Sequence, residues 1–326
     1  MSTAASTRTQ WMFEGKVGLS THYFPSKTED VEQVTDAFSV EKVAEQASEA
    51  GAKWFMLTVH HQPWLMMAPN ETYDKLLGHG KYTARRDLPL DLHKALHAKG
   101  IRMMLYVNLR LDDKSGCMEV DPKIQKSMGG WPPNDKLVDN IAAVYREWSL
   151  RYGDKVSGWW VDGAWMKLYK NSRHREKYFK KIADALRAGN PDAIVAFNPG
   201  EPEQVRLDRY SPQNDYLAGE SNGIADPPRD GRLLGGAQWH WWSFAGNGWG
   251  AGGTRYTDEQ LIEFATKVVE GGGAMTFDVG TLGVIKQART GPVKRTENVG
   301  HIEPAQIKQI RAITDAIKDV KYKNAQ

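Results

Sequence analysis

Two acidic residues close apolar segments of the chain, and carboxylates in such positions can act as acids, bases or nucleophiles. Asp162 follows the run GWWV, and Glu220 ends the segment DYLAGE. Burying a carboxylate at the end of so hydrophobic a strand costs free energy unless a hydrogen-bonding or charged partner compensates, so such a carboxylate is a candidate for a catalytic role. Two carboxylates facing each other across a cavity are the minimum equipment for glycoside hydrolysis, because one attacks or stabilises the anomeric carbon and the other protonates the leaving oxygen. The structural alternatives are a helix cap for Asp162 and an arginine pair for Glu220.

Aromatic and polar residues gather at the ends of the same segments. The period of two in a strand puts Trp160 on the same face as Asp162. Aromatic faces suit the C–H faces of sugar rings, while His, Asn and Tyr supply directed hydrogen bonds to hydroxyl groups. The other candidates for substrate binding are His22, His60, His61, Trp64, Tyr106, Asn108, Asn198, His240 and Trp241. The alternative for each is ordinary packing in the core.

Other chemistries lack their sequence signatures. There is no HExxH or His-x-His pair for a metal and no GxSxG elbow for a nucleophilic serine. No GxGxxG or GxxxxGK[ST] loop opens a helix. The single cysteine, Cys117, lies in a polar stretch without a positioned base. We therefore expect neither a metal ion nor an organic cofactor.

Composition limits the class of partner. The 326 residues carry 43 Lys and Arg against 40 Asp and Glu, a net charge of +3. So small an excess of positive charge does not indicate a nucleic-acid-binding surface. No apolar run reaches the ~18 residues that a membrane-spanning helix needs. Residues 1–9 contain no apolar signal-peptide core, so we expect a cytoplasmic protein as written, or a secreted or periplasmic one if a leader was removed. An uncharged oligosaccharide or glycoside is the expected partner, and the oligomeric state stays open.

Eight short apolar segments must position these residues. They alternate with stretches of helical spacing, several of which end at a glycine such as Gly51 or Gly100. The predicted strands cover 17–23, 52–60, 101–108, 156–162, 193–198, 215–220, 236–242 and 273–279. This alternation predicts an α/β fold, a single (β/α)8 TIM-like barrel that is irregular around strands 5 and 6, with chemistry at the carboxyl ends of its strands. We expect a disordered segment over 1–10 and one catalytic domain over 11–326.

Six segments in order resemble one known family, the α-L-fucosidases of glycoside hydrolase family 29. WMFEGKVGLSTHYF is similar to the family's opening motif with its histidine, and GAKWFMLTVHHQPW to the motif with a double histidine. GWWVDG is similar to the strand that carries the family's nucleophilic aspartate. The remaining three segments are RRDLPLDLHKALHAKGIRMMLYVN, NDYLAGES and VVEGGGAMTFDVG. The chain is identified as a divergent member.

The resemblance implies a mechanism. Asp162 would be the nucleophile of a retaining exo-glycosidase that works by double displacement, with Glu220 as the acid/base and Glu201 as its rival. The sugar subsite would contain His22, His60, His61, Tyr106 and Trp160. The family uses no metal or organic cofactor, and its usual C-terminal β-sandwich is not expected after the last barrel helix.

Departures from the family pattern leave alternatives. Tyr23 and Phe24 follow the first histidine, Val59 precedes the double histidine, and Asp278 replaces an asparagine. The glycone is therefore left open between L-fucose and a related sugar. A non-catalytic carbohydrate-binding protein on the same fold is a second hypothesis. A third is a different cleavage chemistry, such as elimination on a uronic acid with Tyr106 or a histidine as base.

Overall fold

One curled sheet of seven parallel strands organises the computed structural model, which describes residues 7–112, 120–164, 174–200, 209–224, 227, 231–282 and 300–323. The strands of the described residues are β1 (Val17–Thr21), β2 (Trp54–Thr58), β3 (Arg102–Asn108), β4 (Val156–Asp162), β5 (Ile194–Phe197), β6 (Leu233–Leu234), β7 (Ala237–Gln238), β8 (His240–Phe244) and β9 (Ala274–Asp278). The order in space is β5-β4-β3-β2-β1-β9-β8, and β6 and β7 form a separate hairpin. Because both faces of a parallel sheet are covered, its strands read as nearly continuous apolar runs.

The gap between β5 and β8 is filled by an irregular segment, residues 215–221. Backbone hydrogen bonds join this segment to its neighbours on both sides. Asp215 N donates to Val195 O of β5 at 2.9 Å, and Leu217 N donates to Gln238 O of β7 at 2.9 Å. Gly219 has φ +73, and a Cβ there would meet the carbonyl oxygen of His240 at 2.2 Å. The segment stands where strand 6 was predicted. The predicted (β/α)8 barrel is confirmed, with its irregular part at that position.

A buried ion pair network holds this irregular segment in the barrel. Asp215 is 1% exposed, and its two oxygens accept from Arg8 at 2.5 Å and Arg187 at 2.6 Å. Its Oδ2 also accepts from Val195 N at 2.9 Å. Residues 7–10, which belong to the predicted disordered segment, are described here, whereas residues 1–6 lie outside the described part.

Helices cover the outside of the sheet. Within the described residues they are α1 (Gln10–Gly15), α2 (Val31–Ala37), α3 (Val40–Glu49), α4 (Glu71–Leu77), α5 (Leu88–His97), α6 (Pro122–Met128), α7 (Asp135–Tyr152), α8 (Arg175–Leu186), α9 (Asp258–Glu270) and α10 (Pro304–Ile317). Side chains of Asn70, Asp87 and Asn134 cap α4, α5 and α7, because each accepts from a backbone N–H of the first turn. None of the described helices is long and apolar enough to cross a membrane.

Alternation along the strands separates two apolar layers. Met56, Tyr106, Trp160 and Trp242 belong to a cluster inside the barrel, which is distinct from the larger layer between sheet and helices. Met12 of α1 joins the interior cluster and closes the end of the barrel at which the strands begin. The opposite end, where the strands finish, carries the polar side chains.

Candidate active site

Asp162, the last residue of β4, is the centre of a hydrogen-bonded group of side chains at the carboxyl end of the barrel. It is 6% exposed. Its Oδ2 accepts from the Tyr106 hydroxyl at 2.5 Å and from Asn108 Nδ2 at 3.1 Å. These two donors lie on the neighbouring strand β3, where Tyr106 pairs with Trp160 and Asn108 with Asp162. The period of two therefore aims all four side chains into the barrel.

Glu220 reaches the same group through a shared amide. Asn198 Nδ2 donates to Asp162 Oδ1 at 3.0 Å and to Glu220 Oε2 at 2.5 Å. Asn198 follows β5 and is fully buried, whereas Glu220 is partly exposed. Residues that are 36 and 22 positions apart in the chain thus meet at one nitrogen. The two predicted carboxylates are brought together.

The surroundings bias the ionisation of this group. Burial raises the pKa of Asp162 above its usual range, and the donors Tyr106 and Asn198 act against this by stabilising the carboxylate. Burial also raises the pKa of Tyr106 well above its ordinary value, and the nearby charge of Asp162 adds to the effect. Tyr106 therefore keeps its proton and remains a donor.

His22 stands on the other side of the site and is held by Asp278 at the end of β9. His22 Nδ1 lies 3.0 Å from Asp278 Oδ1. Asp278 also accepts from Ser20 Oγ at 3.0 Å and from Gly250 N at 2.6 Å. An ionised carboxylate only accepts, so Nδ1 carries the proton and Nε2 is the remaining polar atom of the ring.

Aromatic rings surround His22 and complete the wall. His22 stacks on Trp242 with ring centroids 5.5 Å apart, and it lies 5.1 Å from Trp249. His61 stacks on Phe24 at 4.6 Å and on Tyr106 at 5.7 Å. This arrangement of flat apolar rings and histidine nitrogens suits a sugar ring, which has apolar C–H faces and a polar edge.

The adjacent histidines His60 and His61 follow β2 and have different surroundings. His60 is fully buried, and its Nε2 lies 3.1 Å from the hydroxyl of Tyr145 on α7. Burial lowers the pKa of His60 to about 3, so the ring is neutral. Burial lowers the pKa of His61 as well, with nearby positive charges as further causes, and its Nδ1 has no hydrogen-bond partner in the described part of the chain. His61 is therefore the member of the pair that can accept from a sugar.

Three predicted residues lie away from this group. Trp64 is fully buried beside Tyr145 and belongs to the layer between sheet and helices. Trp241 lies in the same layer against Phe264 of α9, at a centroid distance of 4.9 Å. His240 is the first residue of β8, where its Nδ1 contacts Leu217 O at 3.1 Å and its Nε2 contacts Thr276 Oγ1 at 2.8 Å. The geometry gives all three a structural position.

Three further residues, which the sequence places at or just beyond strand ends, also line the site. Asp278, Trp242 and Trp249 hold or contact His22. The available signals were the strand-end position of Asp278 and the alternation that places Trp242 on the inner face of β8. The rival acid/base Glu201 lies outside the described residues. No group of three His, Cys, Asp or Glu in the described ranges could hold a metal ion.

Comparisons with known proteins give one family model and several solved structures of similar fold. A family model described as alpha-L-fucosidase matches residues 27–292 of the chain. A comparison with curated protein sequences gives no significant match.

Several solved structures share the fold. An endo-fucoidan hydrolase, MfFcnA4 from glycoside hydrolase family 107, has a TM-score of 0.72 and 18% identity, covering 96% of this chain and 54% of that chain. An alpha-L-fucosidase of family GH29 from Bacteroides thetaiotaomicron, a trapped covalent intermediate in complex with 2-fluoro-fucosyl fluoride, has a TM-score of 0.63 and 16% identity, covering 96% and 74%. The alpha-L-fucosidase AlfC, in a fucosyltransferase mutant form, has a TM-score of 0.63 and 15% identity, covering 96% and 98%. The chain spans about half the length of MfFcnA4.

Proposed function

Because the chain belongs to the alpha-L-fucosidase family, we propose that it is a retaining exo-glycosidase that releases a terminal α-L-fucosyl residue or a closely related sugar from an oligosaccharide or glycoside. Asp162 is the nucleophile and Glu220 the acid/base of this proposal. His22, His61 and Tyr106 face the sugar.

The distance between the two carboxylates is the observation that carries the proposal. Asp162 Oδ1 and Glu220 Oε2 accept from the same nitrogen, so these oxygens lie no more than about 5.5 Å apart. Retaining glycosidases have carboxyl groups about 5 to 5.5 Å apart, whereas inverting enzymes need about 6.5 to 9.5 Å to admit a water molecule. The short separation supports double displacement.

The reaction then takes two steps. In the first, an oxygen of Asp162 attacks the anomeric carbon, the bond from that carbon to the leaving oxygen breaks, and Glu220 gives its proton to the leaving oxygen. In the second, a water molecule attacks the anomeric carbon, its proton passes to the Glu220 carboxylate, and the bond to Asp162 breaks. The two inversions retain the anomeric configuration.

Recognition of the sugar rests on the histidines and the rings around them. Asp278 orients His22 through Nδ1, which leaves Nε2 for a sugar hydroxyl. His61 Nδ1 has no partner among the described residues, and a buried polar atom gains from acquiring one. Trp249, which is partly exposed beside His22, offers a flat surface to the apolar face of the sugar, and the buried Trp242 supports His22 from below.

An endo-acting function on a fucose-containing polysaccharide is the second candidate. The observation that favours it is the closer superposition with the endo-fucoidan hydrolase than with the two fucosidases. The two candidates share the carboxylates and differ in the product. An exo-acting enzyme releases monosaccharide, whereas an endo-acting enzyme shortens the polymer before monosaccharide accumulates.

A panel of aryl α- and β-glycosides tests the proposal. We expect release from the 4-nitrophenyl α-L-fucoside or a related glycoside, with the α-anomer as the first product by proton NMR. Asp162→Asn should lower kcat by at least about a thousandfold. Polymer shortening without monosaccharide release would favour the endo-acting candidate. Thermal stabilisation by L-fucose without turnover of any glycoside would instead identify a binding protein, and a first product of inverted configuration would exclude double displacement.

A further inference from the structure

Asn198 occupies the point at which the two carboxylates meet. Its Nδ2 donates to Asp162 Oδ1 at 3.0 Å and to Glu220 Oε2 at 2.5 Å, so both amide hydrogens are used. The side chain is 0% exposed. The sequence predicts a substrate-binding role for Asn198, but a fully buried amide with both hydrogens engaged has no donor left for a sugar.

The orientation of this amide is fixed at both ends. Asn198 Oδ1 accepts from Gly200 N at 3.1 Å, so the oxygen must point toward that N–H and the nitrogen toward the carboxylates. The reverse orientation would place three oxygen acceptors together and leave Gly200 N facing a donor. The Asn198 backbone N–H also bonds to Val161 O at 2.9 Å, one residue before Asp162. The backbone of Asn198 is therefore hydrogen-bonded to β4, the strand that carries the proposed nucleophile.

This geometry decides where the proton of Glu220 can reside. Glu220 Oε2 accepts a hydrogen from Asn198, and in a protonated carboxyl group the carbonyl oxygen is a stronger hydrogen-bond acceptor than the hydroxyl oxygen. The acid proton therefore belongs on Oε1, the oxygen that Asn198 does not contact. The same amide stabilises the ionised form of Asp162.

We propose that Asn198 is a positioning residue that holds the two carboxylates at the separation required for retention and confines the proton of Glu220 to Oε1. This inference rests on the proposed function, because it assigns the proton donor of that reaction. In the first step, Oε1 delivers the proton to the leaving oxygen while Asp162 attacks. In the second step, Oε1 receives the proton of water while Oε2 stays bound to Asn198.

The test compares Asn198→Ala and Asn198→Asp with a matched control, Asn214→Ala. Asn214 is another buried amide beside β5, whose side chain bonds to both backbone atoms of Phe197 at 3.2 Å and not to either carboxylate. The assays are kcat and KM for aryl glycosides of the accepted sugar with leaving groups of differing pKa, and the pH profile of kcat/KM. Asn198→Asp keeps the shape of the side chain and the acceptor for Gly200 N, but it removes the N–H donors to both carboxylates. It therefore provides the test if the alanine variant does not fold.

We expect both Asn198 variants to lower kcat by about tenfold to a hundredfold with KM changed far less. The loss should be greatest for poor leaving groups, which depend most on protonation, and the acidic limb of the profile should move to higher pH. Asn214→Ala should keep the wild-type leaving-group dependence and pH profile. A raised KM with normal kcat and an unmoved pH profile would identify a substrate contact and overturn the inference.

Parallel assays of Asp162→Asn separate this inference from the proposed function. If Asp162→Asn is inactive while the Asn198 variants retain the wild-type leaving-group dependence and pH profile, only the role of Asn198 fails. If Asp162→Asn turns over at the wild-type rate, the proposed function fails and the inference with it.

Discussion

The phenolic oxygen of Tyr106 lies 2.5 Å from Asp162 Oδ2, so a hydroxyl on β3 stabilises the ionised form of a carboxylate on β4. Burial raises the pKa of Asp162, and the hydrogen bond from Tyr106 opposes that rise. In the proposed mechanism the nucleophile must be ionised to attack, so we expect the pKa of Asp162 to set the acidic limb of the activity profile. By lowering that pKa, Tyr106 is expected to extend the active range toward lower pH.

Replacing Tyr106 by phenylalanine should move that limb to higher pH. The variant removes a hydrogen-bond donor to the charged form, so the pKa of Asp162 should rise. The pH profile of kcat/KM measures the shift. Tyr216→Phe is the matched control, because Tyr216 is an equally buried tyrosine inside the barrel whose hydroxyl bonds to Trp159 O at 3.0 Å. Equal profiles for Tyr106→Phe and the wild type would show that the contact does not control ionisation.

Asp278→Asn should weaken substrate binding. The carboxylate accepts from Ser20, His22 and Gly250, and an asparagine has one acceptor oxygen for these three donors. His22 should lose its fixed orientation, and we expect kcat/KM to fall by about tenfold. Steady-state kinetics measures the loss. Asp315→Asn, at an exposed ion pair with Arg311, is the surface control and should leave kinetics unchanged. Unaltered kcat/KM in Asp278→Asn would refute the role of this pair.

The tryptophans should divide into two classes by their response to substitution. Trp249→Ala should raise KM by about tenfold, because it removes an aromatic surface beside His22. Trp241→Phe should leave KM unchanged and lower the free energy of unfolding by about 1 to 3 kcal/mol, because the ring packs between Phe264 and Phe277. Kinetics and urea unfolding on both variants check this division. A raised KM in Trp241→Phe would instead indicate that Trp241 contacts the substrate.

His240 should make the fold sensitive to mild acid. Burial lowers its pKa from 6.5 to about 4, and both ring nitrogens are bonded inside the barrel. Below pH 6.5 this histidine binds a proton in the unfolded chain but stays neutral in the folded protein. The free energy of unfolding therefore falls as the pH is lowered toward about 4. This one group should cost about 3 kcal/mol of unfolding free energy over that range.

Urea unfolding between pH 7 and pH 4 measures the effect. His240→Gln should be less stable at pH 7 but should lose less stability on acidification than the wild type. Another neutral buried ring, His60, contributes a similar dependence and remains in the variant. If His240→Gln loses as much unfolding free energy between pH 7 and pH 4 as the wild type does, His240 is not the group responsible for the pH dependence.

Several elements could be predicted from the sequence because they depend on local patterns. The apolar run before Asp162 becomes β4 with the predicted bounds, and the predicted helix end at Gly51 has the left-handed φ of +77. The (β/α)8 class follows from the alternation of such segments. These features depend on periodicity and on glycine geometry, which neighbouring residues alone determine.

The seventh predicted strand shows where local patterns mislead. Residues 236–242 read as one strand, but Gly235 and Gly236 have φ of +58 and +82 and turn the chain into the hairpin of β6 and β7. The barrel strand therefore begins only at His240. This shift places His240 at the start of the strand rather than near its end. The Gly-Gly pair between apolar residues was an available hairpin signal.

The sequence by itself determined the order of the elements and the presence of two carboxylates at strand ends. Only the tertiary structure decided that Asn198 joins Asp162 to Glu220, that Asp278 holds His22, and which tryptophans face inward. A period of two defines two faces of a strand, but the closure of the barrel selects the inner one. The decisive hydrogen bonds join residues between 22 and 256 positions apart, so no local pattern encodes them.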